Sequence, residues 1–472
     1  MYTFLIAIAI LIVGAWLYGR YVERVFSPDP NRETPAVRLR DDVDFMPLPW
    51  WKIFMIQFLN IAGLGPIFGA IMGAKFGVAS YVWIVLGTLF AGAVHDYMAG
   101  MISLRNNGES LPESVGRYLG LTVRQVMRIF TVVLMILVGA VFVAGPAGLL
   151  ANMTPDALDV NVWIIAIFVY YIIATLLPID KIIGQVYPLF AAALIFMAVG
   201  IFVMLVYHAP VLPEITDGVT PHPAGLQIFP MMFVSIACGA ISGFHASQSP
   251  MMARCMTNEK QGRPIFYGAM VAEGVVALIW AAAATYFFGE NGMGESSAAV
   301  IVNDITRSWL GQAGAILAVL GVIFAPITSG DTALRSARLI IADIFGTGQK
   351  SVKSRLMISI PIFLVTMGIL IYSLRDKEGF DIIWRYFAWM NQMLSVFTLW
   401  TITVYLVKEG RNYIISMIPA LFMTAVTSCY IVVAKEGFGQ SYTLGYIVAA
   451  VCVVILFVKF VLWKKSYDRG VK

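Results

Sequence analysis

Two stretches of this sequence set backbone breakers beside polar side chains inside long apolar runs. They are Asn60-Ile61-Ala62-Gly63-Leu64-Gly65-Pro66 and Cys238-Gly239-Ala240-Ile241-Ser242-Gly243-Phe244-His245-Ala246-Ser247-Gln248-Ser249-Pro250. Pro removes a backbone donor and clashes with the preceding turn, while Gly admits any backbone angle, so a helix through either stretch is expected to unwind and restart. Unwound backbone exposes amides and carbonyls, and a restarted half-helix turns its positive end toward what binds there, which makes a carboxylate the natural ligand. Asn60, Ser242, His245, Ser247 and Gln248 would orient such a ligand, Gly63, Gly65 and Gly243 would supply bare backbone, and Phe244 an apolar wall. Pro66 and Pro250 fit the first position of each new half-helix, with Ser249 as cap of the second. The plainer alternative is a pair of Pro kinks with Gly for close helix packing.

Ionisable residues within apolar runs are costly and therefore informative. His95-Asp96 is either an interface pair capped by solvent and Arg105 or a proton-handling or gating pair. Neighbours on a helix point about 100 degrees apart, so the two are expected to find different partners. Glu273 is either a structural carboxylate or a carrier of coupling protons. Asp331, directly after Ala325-Pro326-Ile327-Thr328-Ser329-Gly330, reads as a solvated cap or a coupling group. Arg385, flanked by Trp384 and Tyr386, is expected to anchor a helix start, and Asn391 and Gln392 to line a cavity. No metal-ligand spacing, nucleophile elbow, phosphate-binding Gly loop with Lys, or HExxH occurs. Without an ATP site, pumping has to draw on an ion gradient. Ser242 and His245 formally allow an intramembrane hydrolase, but Gly243 and the lack of a second acid argue against it.

The elements that must hold these groups follow from composition. Of 472 residues, 60% are hydrophobic and 12% charged, and the mean hydropathy is +0.82, which excludes a soluble enzyme, a disordered chain and a coiled coil. The net charge of +5 sits in short loops and points to membrane topology rather than nucleic acid. Apolar runs near 2-19, 51-74, 77-101, 126-150, 161-178, 184-208, 228-250, 265-288, 311-330, 356-374, 381-407, 411-434 and 440-463 predict about thirteen transmembrane helices. Alternate loops carry the basic residues, among them Arg20 to Arg40, Arg105, Arg128, Arg254, Arg335, Lys408 and Lys459 to Lys472, against only Lys75, Arg307, Arg375, Lys377 and Lys435 opposite. That contrast predicts an uncleaved first span, an amino end outside and a carboxyl end in the cytoplasm. Residues 295–310, beginning Glu295-Ser296-Ser297, predict an amphipathic surface helix. The four cysteines have no paired or metal-like spacing.

Five spans begin with the first break and five with the second. An odd number of crossings per unit inverts one unit relative to the other, the arrangement that puts a site at the midplane between two discontinuous helices. The expected division is a leading helix at 1–19, a first repeat at 51–208, an inverted second repeat at 228–407 and two trailing helices at 411–463.

Four segments in order, Gln57 to Ile67, Phe90-Ala91-Gly92-Ala93-Val94-His95-Asp96-Tyr97, Cys238 to His245 and Ile327-Thr328-Ser329-Gly330-Asp331-Thr332-Ala333, resemble signature stretches of the carbon-starvation protein A family. The resemblance covers roughly residues 20 to 407. It implies an all-α, LeuT-like secondary transporter of the bacterial inner membrane, grouped with the amino acid-polyamine-organocation superfamily and associated with peptide or proton-coupled pyruvate uptake. The chain is shorter than the long family members, so their substrate need not carry over. In a LeuT-like arrangement, hydroxyls such as those of Thr328 and Ser329 join carbonyls of the first broken helix around sodium. His95, Asp96, Glu273 and Asp331 favour protons instead. The sequence thus predicts an ion-coupled importer embedded in the lipid bilayer, with no cofactor and no nucleic-acid partner. Its expected substrates are small carboxylates, short peptides first and pyruvate second, and a passive channel is the rival outside that class.

Overall fold

The computed structural model describes the backbone of residues 1–42, 44–151, 153–176, 179–292, 298–349, 351–375 and 379–470. Their side chains are described too, except at 175–176, 179–186, 290–291, 313–315, 317–319, 374 and 381. Among these residues every regular element is helical. In chain order the main helices are α1 (Tyr2–Phe26), α2 (Trp50–Ile61), α3 (Gly65–Ala74), α4 (Val78–Arg105), α5 (Leu111–Leu119), α6 (Leu121–Ala151), α7 (Val160–Leu176) and α8 (Ile179–His208). They continue as α9 (Gly243–Ala253), α10 (Glu259–Gly289), α11 (Ala298–Phe345), α12 (Val352–Arg375), α13 (Gly379–Lys408), α14 (Ile414–Val433) and α15 (Tyr442–Gly470).

Nine helices among the described residues are long and apolar enough to cross a bilayer, and α2 with α3, bent by 51° at their junction, makes a tenth crossing. The other three expected spans take different forms. Residues 161–178 correspond to α7, a shorter apolar helix. Residues 228–250 are divided into short turns and α9. Residues 311–330 belong to α11, which turns sharply at Gly311 (φ 63°, ψ −173°). Before that turn Ile301, Ile305 and Trp309 are buried against the protein, while Glu295, Ser296 and Ser297 of the expected surface helix and the outer-side Lys377 lie outside the described residues. Along α1 and α15 many apolar side chains, among them Ile10, Val13, Trp16, Val454, Ile455 and Leu462, stay exposed, the composition of a lipid-facing surface.

Both breaks form. The first follows Ile61, where Ala62 leaves helical geometry (φ −80°, ψ 41°) and Gly65-Pro66 restart the chain in a wide turn over Gly65–Gly69. The second lies at Ile241 and Ser242, both extended (φ −158° and −144°). Pro66 opens its half-helix as expected, but Pro250 sits inside α9, which starts at Gly243. The hydroxyl of Ser249, expected to cap a helix, donates back to His245 O at 2.9 Å. The restart comes earlier because a partner from a distant helix fixes it. The two broken helices touch at Gly65, where a Cβ would come within 2.2 Å of Cys238 Cβ, so only a residue without a side chain permits the crossing.

Candidate functional site

Each break is closed by side chains from a helix far away in sequence. At the second, Asn391 of α13 accepts hydrogen bonds from the Phe244 amide (2.6 Å) and the Ser242 hydroxyl (3.0 Å), and its own amide lies 3.2 Å from Cys238 Sγ. Gln392 donates to the Ile241 carbonyl at 2.9 Å. These two residues, expected to line a cavity, thus commit polar atoms to backbone groups that the broken helix leaves without partners. At the first break, the Ser329 hydroxyl of α11 lies 2.9 Å from Asn60 O and 3.2 Å from Leu59 O. Thr332 donates to Ser329 O at 3.0 Å and approaches Asn60 Oδ1 at 3.4 Å. The Thr328 hydroxyl turns back into its own helix, to Phe324 O and Ala325 O.

Next to the second break, through His245 in the first turn of α9, lies a fully buried chain of ionisable groups from three helices. Asp96 on α4 bonds His95 Nδ1 through one oxygen (2.7 Å) and His245 Nδ1 on α9 through the other (2.8 Å). On the far side of the same ring, His245 Nε2 approaches Glu273 Oε2 of α10 at 3.4 Å. His95 and Asp96, expected to find separate partners, bind each other. The reach of Nδ1 close to the backbone overcomes their angular offset, and the carboxylate's second oxygen still serves His245. The expected capping by Arg105 does not occur, because its guanidinium is held by Glu259 (3.0 Å) and Tyr405 (3.0 Å). His245, read from sequence with the substrate group, stands among the ionisable residues.

Asp331 is elsewhere. Its Oδ2 accepts from the Tyr187 hydroxyl of α8 at 3.1 Å, and the same hydroxyl lies 3.1 Å from Thr328 O. With 1% of its surface exposed, it is not the solvated cap that the sequence suggested. Arg335 is likewise buried and donates to Ala174 O.

Several fully buried polar atoms near the breaks have no hydrogen-bond partner: both side-chain polar atoms of Gln57, Asn60 Nδ2 and Gln248 Oε1. A buried unpaired amide costs about 1–3 kcal/mol, and such groups are candidates for completion by a ligand. Gln248 and Ser247 lie against Met135 of α6, at 3.9 and 3.5 Å, and the Ser247 hydroxyl donates to Phe244 O at 2.6 Å. Gln57, Thr332 and Tyr187 were not singled out from sequence. Gln57 precedes Asn60 by three residues and therefore shares its helix face, a signal available in the sequence, whereas nothing local marks Tyr187.

On one side of this region aromatic rings pack together, mostly edge-on or tilted: Phe142 against Phe244 (6.1 Å) and Phe387 (5.8 Å), and Trp384 against Phe387 (5.5 Å) and Phe380 (6.2 Å) of its own helix and Phe68 (5.9 Å) of α3. On the other, a cavity of about 20 Å³ is lined by Ser110, Ser247, Pro250, Arg254 and Ser336. It shares Ser110 and Arg254 with an open cleft of about 550 Å³ that carries Glu113, Arg128 and Asp343.

The sequence profile of the family described as "Carbon starvation protein CstA" matches residues 1–158, 149–309 and 290–429. The chain belongs to this family. It is 42% identical over 339 residues, 61% of this chain and 91% of the relative, to an uncharacterized membrane protein of Haemophilus influenzae. It is 27% identical to the peptide transporter CstA of Campylobacter jejuni over 90% of this chain and 79% of that one. With the pyruvate/proton symporter BtsT of Escherichia coli the identity is 27%, over 59% of this chain and 48% of the relative. Among solved structures, MhsT in complex with L-phenylalanine superposes with a TM-score of 0.59 at 14% identity, covering 91% of this chain and 99% of MhsT. The family member is thus an all-α, multi-pass membrane protein with the LeuT-like fold, and its named relatives are transporters.

Proposed function

We propose that this chain is a proton-coupled secondary transporter of the bacterial cytoplasmic membrane that imports small carboxylate-bearing nutrients. Short peptides are the primary substrate class and pyruvate the alternative. The observation that carries this reading is the position of His245. One residue of α9 joins the buried carboxylates Asp96 and Glu273, while Ser247 and Gln248, within the next turn, lie against Met135 of α6, with Gln248 Oε1 unpaired. Proton and solute then bias the same half-helix, which is the physical content of coupling. In this reading Asn60, Gly63, Gly65, Ser242, Gly243, Phe244, Ser247 and Gln248 frame the substrate, joined by Gln57. Asn391 and Gln392 support it by holding the break, and the 51–208 and 228–407 repeats rock against each other. The basic face is cytoplasmic by the positive-inside rule.

The names of its relatives support both substrate classes. A peptide needs contacts for two ends, pyruvate little more than one half-helix end and a donor. A sodium-coupled reading is favoured by one observation, the Ser329 hydroxyl against the Leu59 and Asn60 carbonyls. Purified protein in proteoliposomes, given labelled dialanine or pyruvate under an imposed proton or sodium gradient, tests all of these. Accumulation above equilibrium driven by protons is expected. Accumulation driven only by sodium assigns the ion to Ser329, uptake that stops at equilibrium makes the chain a channel, and uptake of neither solute ends the proposal.

A further inference from the structure

A second cavity of about 550 Å³ lies away from the broken helices, in the wall formed by α13, α14 and α15. Its lining is apolar, with Val396, Phe397 and Trp400 of α13 facing Ile455, Leu456 and Phe460 of α15 across the Thr424–Ser428 stretch of α14. Along α13 it runs from Met393 to Val404 and along α15 from Cys452 to Trp463, eleven helical steps in each case. At 1.5 Å per residue this is about 16 Å, close to the hydrocarbon depth of one leaflet, about 15 Å of the roughly 30 Å total. The groove therefore spans half the bilayer and stops near the midplane.

Its midplane end is apolar, and its mouth carries two lysines, with Glu409 next in sequence to Lys408. Lys459 lines it, and Lys408 reaches the same end, with Nζ 5.4 Å from the ring of Tyr118, another lining residue. Lys464, one turn further along α15, is engaged by Asp468 at 2.6 Å. Among the described residues Lys459 and Lys408 enter no ion pair, and both are exposed. Long lysine side chains beside an apolar slot extend toward the interface, where their charge meets headgroups.

We propose that this groove is a binding site for one anionic phospholipid of the leaflet on the basic face, an acyl chain filling the slot and the headgroup phosphate held by Lys459 and Lys408. Depth selects a lipid tail over a soluble ligand, and the unpaired lysines select an anionic headgroup over a zwitterionic one. The site is independent of the transport pathway, so its test does not depend on the substrate.

Delipidated protein is supplied with phosphatidylglycerol or phosphatidylethanolamine of identical chains, and retained lipid is counted by native mass spectrometry. Retention of phosphatidylglycerol about tenfold or more above phosphatidylethanolamine is expected from two lysines. In the unaltered chain, phosphatidylglycerol should also slow maleimide labelling of Cys452, which lines the groove and is partly exposed. The double variant K459A/K408A should lose the preference and Leu456→Trp, which fills the slot, should retain neither lipid. Equal retention of the two lipids by the unaltered chain, or a preference undiminished in K459A/K408A, overturns the proposal. Shielding of Cys452 that grows with protein concentration without lipid assigns the groove to a second copy of the chain and overturns it as well.

Discussion

At the scale of single residues, the network to be tested is His95, Asp96, His245 and Glu273. Imidazole is the side chain whose ordinary titration falls between pH 5 and 8, and here two rings share one carboxylate while the second ring also faces another. Both oxygens of Glu273 lack hydrogen-bond donors, so Glu273→Gln keeps the shape and removes only the capacity to exchange a proton. Proton-driven accumulation should fall at least about tenfold, while equilibrium binding of the same substrate changes by less than about threefold, roughly 0.7 kcal/mol. Uptake and binding on one proteoliposome preparation check this, and accumulation at the unaltered level would remove Glu273 from the coupling path. His95, Asp96 and Glu273 were visible in the sequence as titratable groups out of place in apolar runs, whereas His245 was read with the substrate-orienting residues of its polar stretch. Their grouping was not, because His245 meets Asp96 across 149 positions of chain, and no local spacing encodes a contact between helices.

At the scale of elements, the breaks were legible because Gly and Pro act on the backbone where they stand, so Gly63, Gly65 and Pro66 mark the first break to within a residue or two. The second restart was misplaced toward Pro250 because its position is set by Asn391, which takes the Phe244 amide from α13. The crossing of the two broken helices makes its own prediction. Gly65→Ala drives a methyl into Cys238, an overpacking that typically costs about 1–3 kcal/mol and here splays the site as well. Uptake should drop sharply in G65A and return in large part in the double variant G65A/C238G, which removes the opposing side chain. No recovery would show that Gly65 is needed for its backbone and not for the contact. A smaller effect belongs to α1, whose first turn is capped by Glu214 from the loop after α8, through the Tyr2 amide (2.9 Å), the Thr3 amide (2.7 Å) and the Met1 ammonium. Hydrogen bonds from that ammonium first, and then from Thr3, bring its carboxyl down to about 2. The folded value lies below the unfolded one, so the contribution is complete above about pH 4.5 and disappears as the pH falls toward 2. Glu214 lies at the surface with 24% of its side chain exposed, so solvent screens part of the effect. Glu214→Gln should flatten the acid limb of the melting curve slightly, and an unchanged limb in differential scanning fluorimetry would show that the cap is energetically silent.

At the scale of the whole molecule, the arrangement is lopsided in a way that the sequence could not display. Each broken helix is held by one distant in sequence, the first by α11 through Ser329 and the second by α13 through Asn391. Polar clefts lead from the basic face toward Ser247 and Pro250, whereas toward the other face the route is closed by the rings of Phe142, Phe244, Phe387, Trp384 and Phe68. The rings come from four helices, so moving any one of them relative to the others unstacks the layer, and aromatic pairs each contribute about 0.5–1.5 kcal/mol beyond burial. A few such pairs are comparable with the free energy that separates two states of a transporter. Thiol labelling tests this closure directly. Cys238, Cys255 and Cys429 are buried and only Cys452 is partly exposed, so replacing Cys452 by Ser gives a quiet background for Ser247→Cys. In oriented vesicles without substrate, a small methanethiosulfonate reagent should reach that thiol from the basic face and not from the opposite one. Adding Trp384→Ala should open the second route by loosening its contacts with Phe68, Phe380 and Phe387. Labelling from the aromatic side in the absence of that change would mean that the ring layer is no barrier and that the clefts on the basic face are incidental.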